Sequence, residues 1–237
     1  MADNGYVSRS NSTPMFSRTW QKLASLPLFM GLGSGDMESI LGKVRFNFQQ
    51  AATGKVLFTE GMANNQLFFL LEGSIVLSHR SNSSRITFLE TATAPTMLGA
   101  DILFGLSHHF TYTVTSVSPI QYLTLSKSEI TTHLLHYEVF RLNFLNHLSR
   151  QNQLRLRLLN ETWPKDIRER LLLYLRQNIA LPHGPKTIQG RQEDLAQEIA
   201  TSEKRLHKVL AAYQQVGLMG IGRSHIDIPS MQHLLQP

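Results

Sequence analysis

Cysteine is absent from the 237 residues, which excludes disulfides, thiolate zinc sites, cysteine-ligated iron–sulfur clusters and thiol redox switches. Long apolar runs are missing as well. The longest, Leu67 to Leu71, is far short of the roughly 20 residues needed to cross a bilayer, so no membrane segment is expected. The start, MADNGYVSRSNSTP, lacks a basic stretch followed by an apolar core; no secretory signal is read, and a loose tail over 1–15 of a cytoplasmic protein is the expectation. Glycine and proline are both missing from Glu138 to Thr162. Nothing there interrupts a helix before Trp163-Pro164.

What is present fits a folded protein. A hydrophobic fraction of 42% and a charged fraction of 17% are those of a soluble globular chain, and the length suits two small domains. The net charge of +6 suits an anionic partner without specifying one. The uninterrupted stretch 138–162, read as one helix, aligns Phe140, Phe144, His147, Gln151, Leu154 and Leu158 on a seam at steps of four, three, four, three and four. That is coiled-coil spacing, so this seam is the expected interface of a homodimer, and the helix a spine between two unlike domains.

Upstream of the spine the period changes. Phe16 to Leu26 has helical spacing, and Ser34-Gly-Asp36 is expected to cap a short helix ending near Gly42. Val44, Phe46 and Phe48 then alternate, followed by Val56 to Phe58, Leu67 to Leu71 and Ser74 to Leu77, with Ser81 to Ser84 as a hairpin tip. Ser126-Lys-Ser-Glu129 has the form of a capping box. Short strands with glycine turns at steps of about ten residues predict an antiparallel sandwich or barrel.

The segments LPLFMGL, GKVLFTEG, NNQLFFLLEGSIVLS and MLGADILFG, with Gly54, Gly61, Gly73 and Gly99 among them, resemble in order and spacing the cyclic-nucleotide-binding jelly roll of the cyclic-AMP receptor protein and FNR superfamily. The resemblance implies an α+β protein: a β-roll effector-sensing domain over 16–137, a dimerisation helix over 138–162 and a winged helix-turn-helix over 163–237. In that family a glutamate and an arginine after the sixth strand grip the ribose and the cyclic phosphate. Here Ala100 and Phe110 stand at those positions and only Thr111 keeps a matching type. A buried phosphate without its arginine is an unpaired charge costing several kcal/mol, so the effector is read as something other than cyclic AMP. The expected pocket comprises Leu98, Gly99, Ala100, Asp101, Phe104, Phe110, Thr111 and Tyr112, with His147, Gln151 and Asn152 reaching in from the spine. Haem is one possible occupant, since there are ten histidines and eight methionines; His108, His109, His133, His136 and above all His147 are the candidate ligands.

After the spine, Pro164 is expected as the first residue of a new helix through Ile167, Leu171 and Tyr174, making 162–166 a hinge. Leu195, Ala196 and Ile199 mark one short helix; Ala200-Thr201 turns; Ser202 caps a second helix, with Leu206, Val209, Leu210 and Tyr213 inward. Leu218 to Ile228, with Gly220 and Gly222, is expected as a two-stranded wing. Thr201, Ser202, Glu203, Lys204, Arg205, His207 and Lys208 would then face a DNA major groove. The resemblance thus implies a homodimeric regulator whose partners are a double-stranded DNA operator, a small effector and RNA polymerase. Two alternatives are a constitutive DNA-binding protein with a vestigial pocket, and a cupin-type metalloenzyme. Against the cupin, the strands from Val44 to Leu77 hold no histidine and His79 stands alone at their end.

Overall fold

The computed structural model describes residues 21–235, and the tail at 1–15 and the first five residues of the helix expected from Phe16 lie outside them. A helical turn at 21–24 leads to α1 (Ser34–Lys43), which buries Met37 and Ile40. Its N-cap is Gly33, with no side-chain capping bond; Ser34 is inside the helix and not its cap, as is Gly42.

Eight strands follow: β1 (Asn47–Ala51), β2 (Val56–Phe58), β3 (Gln66–Glu72), β4 (Ser74–Arg80), β5 (Thr87–Thr93), β6 (Thr96–Leu98), β7 (Thr113–Ser116) and β8 (Ile120–Ser126). They form two sheets, one ordered β1-β8-β3-β6 and one containing β5-β4-β7-β2, with antiparallel pairing throughout. Central strand β3 explains the unbroken run from Leu67 to Leu71. Leu67, Phe69 and Leu71 enter one core, while Phe68 and Leu70 enter another between the sheets. A strand covered on both faces has no polar side to alternate with. The strand expected from Val44 starts only at Asn47, because Val44 is a core residue closing α1. At the β3–β4 turn Gly73 has φ +84, and a Cβ there would collide with the Pro119 carbonyl oxygen, so only glycine fits.

Helix α2 (Lys127–Thr132) begins with Ser126 Oγ accepting from the Glu129 amide at 3.1 Å. The box is half made, since the Glu129 carboxylate accepts from the Arg45 amide instead. A 3-10 turn at Leu134–His136 passes the chain to α3 (Glu138–Asn160). Phe140 and Phe144 are buried: Phe140 lies edge-on to Phe29 at 5.3 Å and Phe144 edge-on to Phe104 at 5.8 Å. The first half of the expected interhelical seam is therefore consumed by the protein's own core, because the roll presents an aromatic bed that those rings fill.

Beyond α3 come α4 (Ile167–Asn178), β9 (Lys186–Gln189), α5 (Gln192–Glu198), α6 (Glu203–Gln215), β10 (Gly220–Ile221), β11 (His225–Ile228) and α7 (Met231–Leu234). Helix α4 starts at Ile167 and not at Pro164, because the Asp166 carboxylate accepts from the amides of Arg168 and Glu169 and fixes the N-cap there. Strand β9 pairs with β11 on one side and with β5 of the roll on the other, giving a seven-stranded sheet ordered β10-β11-β9-β5-β4-β7-β2. The register is Thr87 opposite Gln189, Phe88 opposite Ile188, Leu89 opposite Thr187 and Glu90 opposite Lys186. Ile86 and Phe88 join Leu171, Tyr174, Ile188, Leu195 and Leu210 in the C-terminal core. Two bodies joined by a helix alone would leave the edge of β5 open; here β9 covers it.

Candidate functional site

The residues expected to line one effector pocket divide between two cores. Ala100 and Phe104 pack with Phe140 and Phe144 against α3, whereas Leu98, Phe110 and Tyr112 pack between the sheets. Phe110, at the position of the family arginine, is 3% exposed and stacks on Phe58 at 4.6 Å with 19° between the rings. Tyr112 stands edge-on to it at 5.7 Å. Thr111 is exposed, as is Asn152, and Gln151 is half-buried. Gly99 has φ +86, with its carbonyl accepting from Asn64 Nδ2 at 3.1 Å.

Asp101 connects the two groups. Its carboxylate accepts from Arg155 Nη2 of α3 at 2.7 Å. Burial pushes the Tyr112 phenol up, with the charges of Asp101 and Glu90 adding to it, so it stays protonated. Burial lowers the His147 pKa, Asp101 opposes this and Arg150 reinforces it. Arg155 stands among other basic residues of α3, Arg150 and Arg157, and nothing in their spacing singles it out.

Three of the candidate histidines have contacts of their own. His108 Nδ1 lies 3.2 Å from the Ile102 carbonyl oxygen, His109 bridges to Ala63 in the backbone, and His133 lies 3.9 Å from Glu129. Phe144, one turn before His147 on α3, packs edge-on against Phe104. Among the described residues no group of three or more His, Asp or Glu is arranged to hold a metal ion.

In the C-terminal lobe, α5 and α6 are joined by a turn in which Ala200 takes φ +51 and the Thr201 amide donates to the Ala196 carbonyl. Helix α6 buries Leu206, Leu210 and Tyr213. Ser202, Glu203, Lys204, Arg205, His207 and Lys208 are exposed and Thr201 is half-exposed, as the 3.6-residue period requires. Ser202 occupies the N-cap position but its hydroxyl makes no capping bond. An open cleft of about 740 Å³ at this end is lined by Lys165, Arg170, Thr201, Ser202 and Arg205 among others. Arg170 braces it, donating to the carbonyls of Pro164 and Ala200. A second depression lies over Glu203, Lys204, His207 and Lys208. The hairpin β10–β11 follows, with Gly220 opposite Asp227 and Ile221 opposite Ile226.

On α3, residues Leu142, Leu145, Ser149, Asn152, Leu156 and Leu159 are all exposed. Their steps are three, four, three, four and three, the spacing of a coiled-coil seam on a different face from the expected one. Leu154 is 40% exposed and Leu158 half-buried.

Residues 48–137 match the family model described as the cyclic nucleotide-binding domain. A cyclic nucleotide-gated potassium channel of Rhizobium etli is 32% identical over 90 residues, 38% of this chain and 21% of the channel; the chain thus spans about a fifth of that relative's length. Among solved structures, the catabolite activator protein of Thermus thermophilus is 21% identical, with a TM-score of 0.49 over 88% of this chain and 96% of that one. DNR of Pseudomonas aeruginosa is 16% identical, with a TM-score of 0.44 over 91% and 95%. No described helix is long and apolar enough to cross a membrane. Over residues 48–137 the chain is therefore similar to the cyclic nucleotide-binding domain, in agreement with the resemblance read from the sequence.

Proposed function

We propose that the chain is a cytoplasmic, homodimeric, sequence-specific DNA-binding transcription regulator. Its C-terminal lobe acts as a winged helix-turn-helix, and α6 enters the major groove. One observation carries this: α6 turns Glu203, Lys204, Arg205, His207 and Lys208 outward while its other face is buried, with the β10–β11 hairpin beside it as a wing. The cleft at its start, with Lys165, Arg170 and Arg205, suits a backbone phosphate. Lys208 is placed to donate to a guanine edge and Glu203 to accept from cytosine.

The second copy packs along Leu142, Leu145, Ser149, Asn152, Leu156 and Leu159. Ser149 and Asn152 at the centre set the register, as a polar residue in an apolar seam does. Two α6 helices then meet successive major grooves roughly 34 Å apart, and RNA polymerase is the onward partner. The roll is not a cyclic-AMP receptor, because Phe110 stacked on Phe58 puts a ring where a phosphate needs a cation. Adding cyclic AMP is expected to leave the melting temperature unchanged; a ligand of the native state at about 100 times its Kd stabilises by ~2.7 kcal/mol, so a clear rise would reverse this point.

The test of the DNA reading is selection of a preferred duplex from random DNA, followed by Lys208→Ala. A lost base contact is worth about 1–3 kcal/mol, so affinity for the selected site should fall roughly 5- to 150-fold while random-duplex binding changes little. Equal losses on both would make Lys208 a phosphate contact, and failure to enrich any sequence would remove sequence-specific reading altogether.

A further inference from the structure

Glu90, on β5, is fully buried. Its carboxylate accepts from the Ala180 and Leu181 amides at 2.6 and 2.8 Å, just after α4, and lies 2.9 Å from His79 Nε2 and 3.3 Å from Lys186 Nζ of β9. His79 is stacked on Phe88 at 5.2 Å. Lys186 is itself 3% exposed and donates to the His183 carbonyl at 2.7 Å. A carboxylate with four partners, three of them on the C-terminal lobe, keeps its charge. Burial pushes its pKa up, but the His79 contact, Lys186 and the two amides together hold it below the usual carboxylate value. Around it, β9 pairs with β5 over four residues, and at the hairpin tip Ser83 and Arg85 bond to Glu198 and Gln197 of α5.

We propose that the Glu90–His79–Lys186 cluster is a latch that sets the position of the DNA-reading lobe on the roll without any ligand. The proposal rests, for its DNA consequence, on the function argued above. In this latched arrangement the outward face of α6 is open to solvent, so the latch does not mask the reading helix; it orients it. Orientation fixed before binding is entropy that need not be lost on the operator, and the latched form is the DNA-competent one. The connection at 161–166, between α3 and α4, is the place about which an unlatched lobe would swing. Truncating a buried charged hydrogen-bond partner leaves the others unpaired, so the latch opens as a unit.

Because the chain has no cysteine, a cross-link tests this cleanly. Thr87 and Gln189 stand directly opposite each other, and directly opposed strand residues lie within disulfide reach, about 4.5–5.5 Å between Cα atoms. The full-length Thr87→Cys/Gln189→Cys protein should cross-link within one chain on oxidation and keep its affinity for the selected duplex. Glu90→Gln in the otherwise native protein should accelerate amide exchange at 180, 181 and 186–189 while β3 stays protected, and lower selected-duplex affinity at least about tenfold, the loss expected when an ordered lobe becomes free. Oxidation of the triple variant should restore that affinity. Failure of the cross-link to form, loss of binding on cross-linking, or exchange rising equally in β3 would each overturn the latch. If Glu90→Gln does not fold, Lys186→Met, which leaves the amide contacts of Glu90 in place, should speed exchange at the same amides; unchanged exchange there would also overturn it. A native protein with no preferred duplex removes the DNA reading, while the exchange pattern still decides the latch.

Discussion

Leu145→Glu together with Leu156→Glu is expected to yield a folded monomer that has lost its operator. Both side chains are exposed in the single chain, at 53% and 48%, so each substitution leaves the protomer's core untouched and changes its stability by no more than about 0.5 kcal/mol. In a dimer packed on this face each leucine would contribute about 1.5–3 kcal/mol of burial. The two changes remove four such side chains from the assembly and place four like charges across the seam. Sedimentation equilibrium should report the monomer mass. A single lobe reads one half-site, so affinity for the selected duplex should drop about 10³-fold or more, toward the non-specific level. A dimer that persists with both glutamates in place would move the interface elsewhere.

Phe140→Ala gives the opposite pattern: a large loss of stability that does not depend on assembly. Phe140 is fully buried, stacked near Phe144 at 6.4 Å and edge-on to Phe29. Removing a buried phenyl ring costs about 3–5 kcal/mol, a large share of the 5–15 kcal/mol typical of a whole protein. The melting temperature should fall by roughly 10 °C or more, at any protein concentration. A loss that disappears when native and variant proteins are compared as monomers, at high dilution, would put Phe140 back in an intermolecular contact. Together the two experiments separate the two faces of one helix.

The roll was legible in the sequence because its signals are local. Five successive apolar residues from Leu67 to Leu71 could only be a strand covered on both sides or a buried helix segment, and the glycines at either end of the neighbouring runs decided for a strand. Phe110 was singled out only by the resemblance, and what sat around it was not legible. Ala100 and Phe104 fall in one core and Phe110 and Tyr112 in another because the turn 99–105 crosses between sheets, a three-dimensional fact with no periodic trace.

The expected seam loses its first two members, Phe140 and Phe144, to the roll for a physical reason as well. Both faces of α3 carry the three–four repeat; the large rings of Phe140 and Phe144 make one of them look like the interface, and the serine and asparagine in the middle of the other make it look like solvent. Which face the roll covers depends on Phe29 and Phe104, 111 and 40 residues away from the rings they meet. Likewise β9, only four residues long, reads as loop until its partner strand is known. Glu90 in the middle of an apolar-alternating strand was the one local hint of a buried partner, because a carboxylate is almost never fully buried alone.

The core of the C-terminal lobe includes Ile86 and Phe88, and this bears on modularity. A lobe that borrows two apolar side chains from another part of the chain is not a transplantable cassette. Grafted onto a different sensor, residues 163–235 would carry an open groove beside Ile188 and an unpaired strand edge on β9, and the donor roll would be left with two bare side chains and a buried carboxylate stripped of its donors. Recombination among chains of this architecture would then favour exchanges that carry the β4–β5 hairpin along with the C-terminal lobe, even though some 70 residues of other structure separate them in the chain.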